Sequence, residues 1–251
     1  MSKKKRQRKY GAEDQDAPAN SSEMTRFYWV LGIVAVLGVA IVGYQVGSSA
    51  LGDTVTEPIT IQGLDDPARL MEIARGIEMG DPNAEITIIE FADFQCPACQ
   101  AFAAQVKPLV EVEFVQTGIA KFTFYTFPLV AMHPNAFLAA RASYCADDQG
   151  RFWDYHDVLF RNQTRWAGQQ NPARAFESYA TDLGLDRREF AECLRSDRHA
   201  EVITANMELA RQMQVPGTPT VIAGRGRGMP QRVENNIEGI RAGVAALRGA
   251  G

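Results

Sequence analysis

Two cysteines stand close together in the segment "FADFQCPACQAF", at Cys96 and Cys99. Cysteines at this spacing hold zinc, attach haem, ligate iron–sulfur clusters or exchange electrons as a dithiol and disulfide. Covalent haem attachment requires a histidine directly after the second cysteine, and Gln100 stands there. A structural zinc site requires four ligands. The other possible ligands are Cys145, Cys193, His133, His156 and His199, and no two of them lie close together in the sequence as a second pair. Redox exchange is therefore favoured, with zinc binding or a purely structural disulfide as the alternatives.

The elements around the pair suit redox exchange. The run "EITIIEFADF" is apolar and β-branched, which predicts a buried strand, and Pro97 suits the first position of a helix. Cys96 would then lie at a helix N-terminus, where unpaired N–H groups and the helix dipole stabilise a thiolate. Such a site lowers a cysteine pKa to roughly 3.5–7.5. We therefore expect Cys96 to attack disulfides and Cys99, one turn further in, to resolve the mixed disulfide.

The pattern of elements predicts an α/β fold. A helix is predicted after the cysteines, interrupted at Pro108, and a second strand at 119–129, so that strand, helix and strand form a parallel β–α–β unit. Helical patterns follow over 135–213. A turn and strand at 215–224, a short strand near "QRVENN" and a final helix complete the prediction, and a short helix is expected over 66–80, ending at Gly80.

These motifs resemble those of the DsbA-like thiol–disulfide oxidoreductases, in their membrane-anchored branch. The segment "IIEFADFQCPACQAF", the loop "GTPT" at 217–220 and the helical region between them, with "ASYCADDQGRFWDYHDVLF", carry the resemblance. It implies a thioredoxin-like domain at 81–250 with an α-helical insertion at about 130–213. It also implies that the protein is an enzyme that needs neither a metal nor another cofactor.

The resemblance assigns roles to individual residues. Cys96 and Cys99 match the redox pair, Pro219 matches the family's cis-proline, and Thr218 precedes it in a loop that lies against the first cysteine and binds peptide backbone. Glu90 matches a buried acid that carries the proton of Cys99. A trans turn at Pro219 and a merely structural Glu90 are the alternatives. Ala98 replaces the histidine common among strong oxidants of the family, so the sequence leaves the redox potential open.

The other two cysteines, Cys145 and Cys193, fall in predicted helices of the insertion. In an oxidising compartment a structural disulfide between them is the simplest account. Two buried thiols or a second redox pair are the alternatives. Asp93, close to the redox pair, is expected to face solvent.

An apolar segment precedes the domain. Residues 27–46 contain no charge, and twenty helical residues span about 30 Å, the thickness of a bilayer core. Six Lys/Arg side chains lie within residues 1–9, which places the N-terminus in the cytoplasm and the domain outside. We expect a disordered basic tail at 1–26, a transmembrane anchor at 27–46, and a linker with a short helix at 47–80. A cleaved signal peptide or a buried core helix are the alternatives.

Charge and motifs together define the expected function. Removing the basic head leaves an acidic excess, which argues against nucleic-acid binding. We predict a single-pass protein of the cell membrane that forms disulfides in exported, unfolded polypeptides and is reoxidised by a membrane redox partner. The alternatives are a disulfide reductase or isomerase of the same fold, and a non-catalytic peptide-binding or chaperone module.

Overall fold

A computed structural model describes residues 26, 28–39, 55–226 and 228–249. The chain divides into two units, Met1–Leu51 and Gly52–Gly251. In the first unit, residues 28–39 form helix α1, whose apolar side chains are exposed. No helix within the described ranges has both the length and the apolar character that a bilayer crossing requires. Residue 27 and residues 40–46 of the predicted anchor lie outside the described residues.

A mixed sheet forms the centre of the second unit. Its strands in the described part of the chain are β1 (Ile77–Met79), β2 (Ile86–Ala92), β3 (Ala120–Thr126), β4 (Thr220–Arg225) and β5 (Gln231–Val233). Their order across the sheet is β1-β3-β2-β4-β5. Strands β2 and β3 are parallel, as a β–α–β unit requires, and the other pairs are antiparallel. The predicted parallel unit is therefore confirmed.

Helices pack around this sheet. They are α2 (Pro67–Ile73), α3 (Pro97–Gln105), α4 (Lys107–Val110), α5 (Ala136–Asp147), α6 (Phe152–Arg161), α7 (Gln163–Trp166), α8 (Ala173–Asp182), α9 (Arg187–Arg195), α10 (Ala200–Gln212) and α11 (Ile237–Gly249). Helices α5 to α10 form the helical region between β3 and β4. A π-helical turn, Glu111–Val115, continues α4. Pro108 lies in the first turn of α4, so the helix after the cysteines is interrupted where the sequence predicted.

Helix α5 is the central helix of the helical region, because its residues from Ala136 to Ala146 are all buried. A disulfide joins Cys145 of α5 to Cys193 of α9. Arg141, also in α5, is buried and donates hydrogen bonds to the carbonyls of Leu194 and Val55. The bond to Val55 ties the segment before α2 to the helical region. The sequence predicted this segment to be a linker.

The prediction of helix as far as Gly80 was wrong. Helix α2 ends at Ile73, and Ile77–Met79 form β1 at the edge of the sheet. Ile77 pairs with Phe124, and Met79 pairs with Phe122 of β3. The local sequence is compatible with a helix, but pairing with β3 gives these backbone groups partners and partly covers both apolar side chains.

Close packing at the start of β1 leads to a prediction about Gly76. A Cβ atom at this position would lie 2.5 Å from Thr123 Cγ2 and 2.7 Å from Tyr125 Cε2. Gly76→Ala should therefore lower the free energy of unfolding by ~1–3 kcal/mol, the usual cost of overpacking. Denaturant unfolding measures the change. Gly168→Ala is the control, because a Cβ atom added there would meet no other atom within 4 Å. Equal stability of the two variants would contradict the packing of β1 against β3.

Candidate active site

Cys96 lies where β2 ends and α3 begins. It is the N-cap residue of α3, with extended backbone angles, and Pro97 occupies the first turn. Its N–H donates to the Asp93 carbonyl at 3.1 Å, and its own carbonyl accepts from the Gln100 N–H at 3.1 Å. The sulfur therefore lies beside the unpaired N–H groups of the first turn. Both Cys96 and Cys99 are present as thiols.

The surroundings of Cys96 lower the pKa of its thiol to about 5. The largest cause is a hydrogen bond from the Cys99 thiol. Backbone N–H groups of Cys99 and Ala98 and the side chain of Thr218 act in the same direction, while burial opposes them. A thiol with this pKa is ionised at neutral pH, and the thiolate is the form that attacks disulfides.

Cys99 differs from Cys96 in the extent of its burial and in its role in the hydrogen bond between the two sulfurs. It is fully buried one turn further along α3, and burial raises the pKa of its thiol far above the ordinary range. The hydrogen bond that it gives to Cys96 and the nearby Glu90 carboxyl raise that pKa further. Cys99 therefore keeps its proton at neutral pH, and the two sulfurs divide into an ionised and a protonated member.

The loop that carries Pro219 lies directly against the first sulfur. The Thr218–Pro219 peptide bond is cis. The Cys96 thiol donates to the Thr218 carbonyl at 3.4 Å. Among the described residues, the buried Thr218 hydroxyl has no hydrogen-bond partner, so it is free to donate to Cys96 once that thiol ionises. Asn235 holds the loop by donating its side-chain amide to the Pro219 carbonyl at 2.6 Å.

Glu90 is a buried acid on β2, 1% exposed, between Phe124 of β3 and Val221 of β4. Neither of its carboxyl oxygens has a hydrogen-bond partner within the described ranges. Burial raises the pKa of this carboxyl to about 8, although the positive charge of Lys107 acts in the opposite direction. At neutral pH the group is therefore mostly the neutral acid and holds a proton that it can transfer.

The prediction that Asp93 faces solvent was wrong, because the residue is 1% exposed. Its carboxylate accepts from the N–H groups of Gln95 at 2.7 Å and Leu129 at 2.8 Å, and lies 2.7 Å from His133 Nδ1. These contacts join the turn before Cys96 to the connection after β3. The sequence gave no sign of this burial, because two of the three partners, Leu129 and His133, come from a distant part of the chain.

Gln163 is a site residue that the sequence analysis did not single out. It lies buried in α7, and its side-chain amide donates to the carbonyls of Phe94 at 2.7 Å and Cys96 at 2.9 Å. A further bond runs from α3 to the helical region: the Gln100 side-chain amide donates to the carbonyl of Phe160 in α6 at 2.7 Å. The helical region therefore holds the cysteine turn from outside the sheet.

Lys107 is a buried cation near this region. Its ammonium group lies 2.5 Å from Glu111 and 3.1 Å from Asp157, and its field also reaches Glu90 and His156. Burial lowers the pKa of His156 to about 4, so that imidazole is neutral at neutral pH.

Metal-ligating side chains gather elsewhere. In the part of the chain that the structure describes, the one such cluster is Cys145, Cys193 and His199, and it includes neither Cys96 nor Cys99.

Three features together define the thioredoxin-fold class of thiol–disulfide exchange proteins. They are the parallel β–α–β unit, the C-x-x-C pair at the start of its helix, and the cis-proline loop beside the first sulfur. A family model described as "Thioredoxin" matches residues 73–237. The chain therefore belongs to the thioredoxin family. Its resemblance to DsbA-like proteins is supported by the relatives and solved structures described next.

Two kinds of curated proteins are similar to this chain in sequence. The Na⁺/H⁺ antiporter NhaA 3 of Salinispora tropica is 33% identical over 170 residues, which are 67% of this chain and 25% of that protein. This chain thus spans about a quarter of the length of the first relatives it matches. Disulfide bond formation protein D of Bacillus subtilis is 27% identical over 169 residues, 64% of this chain and 73% of that protein.

Solved structures share the fold. The superposition with oxidised BdbD from Bacillus subtilis covers 68% of this chain and 91% of the BdbD chain, with 22% identity and a TM-score of 0.60. Chlamydia trachomatis DsbA covers 69% of this chain and 91% of its own, with 24% identity and a TM-score of 0.59. At this identity the likeness extends to the fold alone.

The environment of Cys96 yields a first prediction for the site. In the reduced full chain, the rate of Cys96 alkylation should rise with pH around a pKa of about 5. Cys99→Ala should raise that pKa, because it removes the largest stabilising hydrogen bond, and Thr218→Val should raise it less. Alkylation followed by mass spectrometry measures each profile, and Cys96→Ser is the control for reaction at other sites. A Cys96 pKa near the ordinary ~8.5 would contradict this geometry.

Glu90 yields a second prediction, on stability against pH. The folded carboxyl keeps its proton up to about pH 8, while in the unfolded chain it ionises near its ordinary 4.5. The unfolded state therefore binds fewer protons in this window, and stability falls as pH rises from about 4.5 to about 8. In the disulfide form the active-site thiols do not titrate, and Cys96 no longer adds its contribution to the Glu90 pKa, the smallest of the three causes, so this form isolates the effect of burial.

Denaturant unfolding of oxidised wild type and Glu90→Gln at pH 5 and pH 8 tests this. The wild type should lose up to a few kcal/mol relative to the variant between these two pH values. Glu72→Gln, which removes a carboxyl at an exposed position of α2, is the matched control. Parallel pH profiles for wild type and Glu90→Gln would show that Glu90 is ionised in the folded protein.

Proposed function

We propose that this chain is a membrane-anchored thiol–disulfide oxidoreductase that donates its Cys96–Cys99 disulfide to exported, unfolded polypeptides. The observation that carries the proposal is the contrast between the two sulfurs. Cys96, at the start of α3, is ionised when reduced, and Cys99, buried behind it, is protonated. An ionised first sulfur stabilises the reduced form and makes the disulfide an effective oxidant.

The exchange proceeds in two balanced steps. A substrate thiolate attacks Cys96 Sγ of the disulfide, a mixed disulfide forms, and the Cys96–Cys99 bond breaks. Cys99 leaves with the bonding electrons and takes a proton from the neutral Glu90 acid. A second substrate thiolate then attacks the substrate sulfur of the mixed disulfide and expels the Cys96 thiolate. The low pKa of Cys96 makes it a good leaving group. Two electrons have passed from substrate to enzyme, and a membrane redox partner removes them.

The Pro219 loop fits the role of substrate contact. It lies against Cys96, and a groove of about 320 Å³ runs along it, lined in part by Thr218, Arg232 and Asn235. A peptide held along this loop would bring its sulfur close to Cys96. The same groove is what a non-catalytic peptide-binding module would use, so the alternatives differ in whether the cysteines are needed.

An extracytoplasmic position is part of the proposal. It is supported by the uncharged segment 27–46 behind a basic N-terminus, by the exposed apolar side chains of α1, and by the Cys145–Cys193 disulfide, which suits an oxidising compartment. In this arrangement residues 1–26 are cytoplasmic, residues 47–80 form the linker, and residues 81–250 form the catalytic domain.

Substitution of each active-site cysteine separates catalysis from peptide binding. Cys96→Ser should abolish both insulin reduction and oxidative refolding of a reduced substrate, because it removes the attacked sulfur. Cys99→Ser should accumulate mixed disulfides through Cys96, visible on non-reducing gels, because the resolving sulfur is absent. Full refolding activity of Cys96→Ser would favour the chaperone alternative and overturn the proposal.

The redox potential decides the direction of electron flow. The Cys96–Cys99 couple, equilibrated with glutathione, should have a potential well above the approximately −270 mV of thioredoxin. A potential near that of thioredoxin would favour the reductase or isomerase alternative. In intact cells first treated with a membrane-impermeant reductant, a membrane-impermeant thiol reagent should label Cys96, and protection of Cys96 after this reduction would contradict the extracytoplasmic position.

A further inference from the structure

A second groove begins beside the redox pair and runs between α3 and the end of α6. Its volume is about 540 Å³, whereas the groove along the Pro219 loop measures about 320 Å³. Pro97, which directly follows Cys96, is the first residue along the chain that lines it. We call it the α3–α6 groove. A chain bound at Cys96 therefore has two surfaces within reach, the Pro219 loop and this groove.

Small side chains form one wall of the α3–α6 groove. Pro97, Ala101, Ala104 and Pro108 follow one another at spacings of four, three and four residues, which places them on one face of α3 and α4. All four residues are exposed. Phe160 of α6 also lines the groove and is only 3% exposed, so it belongs to the floor. The groove thus offers an apolar side chain a place between the two helices.

The length of the groove suits a short extended peptide. From Pro97 to Pro108 the chain advances eleven residues, which is roughly 16 Å at the rise of an α-helix. An extended chain covers about 3.3 Å per residue, so about five residues fit along the groove. Because the groove begins next to Cys96, these would be the residues that directly flank a cysteine joined to Cys96.

Arg161 supplies a positive charge at the rim. It is exposed, lines the groove and makes no ion pair or side-chain hydrogen bond with any residue that the structure describes. Asp157, one turn earlier, is instead paired with Lys107 at 3.1 Å. Arg161 lies two residues before Gln163, whose amide donates to the Cys96 carbonyl at 2.9 Å. The unpaired cation therefore lies toward the cysteine end of the groove.

We propose that the α3–α6 groove binds the segment flanking the reactive cysteine of an unfolded polypeptide, with an apolar side chain against Phe160 and an acidic one at Arg161. The inference rests on the proposed function, because the polypeptide is the substrate whose sulfur joins Cys96. The Pro219 loop then holds the residues on one side of the substrate cysteine, and the groove holds those on the other side. Cysteines with an apolar and an acidic neighbour are therefore oxidised in preference to others.

A peptide that cannot react tests the groove apart from catalysis. The probe is a short fluorescent peptide in which serine replaces the cysteine, with the same neighbours on both sides. Three versions carry leucine and glutamate, leucine and lysine, or only glycine and serine. Fluorescence anisotropy with the full chain in detergent should give the tightest binding for the leucine–glutamate peptide and the weakest for the glycine–serine peptide.

Filling the groove tests the apolar contact. Ala104→Leu should weaken binding of both leucine peptides roughly 10-fold, because the new side chain occupies the space of the bound one. Leucine is nearly as good a helix former as alanine, so the variant should fold, and circular dichroism checks this. Ala246→Leu is the matched control, since Ala246 is exposed in α11 and does not line the groove.

Reversing the charge at Arg161 tests the polar contact. Arg161→Gln should weaken binding of the leucine–glutamate peptide roughly 2–5-fold, the range of an exposed ion pair. Arg161→Glu should reverse the preference, so that the leucine–lysine peptide binds more tightly than the leucine–glutamate peptide. Arg174→Glu is the matched control, because Arg174 is exposed in α8 and lies outside the groove.

Oxidation rates connect the groove to thiol exchange. Reduced peptides with two cysteines and the same three kinds of neighbours, mixed with the oxidised full chain, should close fastest when the neighbours are leucine and glutamate. Mass spectrometry measures the closed fraction, and Ala104→Leu should remove this advantage. Cys96→Ser should oxidise none of the peptides but should still bind the serine peptides in the same order.

The two readouts separate failure of the groove from failure of the proposed function. Equal affinity for the three serine peptides, no measurable binding of any of them, or binding that neither Ala104→Leu nor Arg161→Glu changes would overturn the groove proposal, even if every peptide is oxidised. A wild-type chain that binds the serine peptides in the expected order but oxidises no peptide would refute the proposed oxidase and support a groove that binds polypeptides.

Discussion

The stabilisation of a negative charge on Cys96 is the interaction on which the site depends. The sulfur lies at the first turn of α3, where backbone N–H groups without helical partners point toward it, and the Cys99 thiol donates to it. The turn lies at the carboxyl end of β2, the central strand of the sheet, which pairs in parallel with β3.

The rest of the domain holds this turn in place and controls its protons. Asp93 ties the turn to the connection after β3, and Gln163 ties it to the helical region. Beneath it, Glu90 remains a neutral acid because it is buried without a hydrogen-bond partner among the described residues. Removing the helical region would therefore leave the carbonyl of Cys96 without its side-chain donor, even though the sheet and α3 would remain.

The helical region also has a chemistry of its own. The Cys145–Cys193 disulfide links α5 to α9, and both sulfurs are shielded from proteins by burial. A redox pair that exchanges with substrates needs one accessible sulfur, and Cys96, beside the Pro219 loop, meets this need better than either of the other two. The four cysteines are thereby separated into an exchanging pair and a pair closed within the helices.

The sequence by itself determined the chemistry of the site and most of the fold. The C-x-x-C spacing, the apolar run before it and Pro97 predicted a reactive sulfur at a helix start, because these are local features that depend on neighbours in the chain. The parallel β–α–β unit, the helical region and the break near Pro108 followed from the same local periodicity. Glu90 and Pro219 came from resemblance, and the structure places both residues beside the two sulfurs or beneath them.

Only the tertiary structure decided how distant residues meet. Strand β1 was predicted as helix because its pairing with β3 joins segments more than forty residues apart. Asp93 and Gln163 carry no local signal, since a polar side chain reads as exposed until its buried partners are known. The cluster of Cys145, Cys193 and His199 likewise exists only because α5, α9 and α10 converge. Hydrogen bonds and burial between remote segments depend on packing, and a local pattern of residue types does not encode that packing.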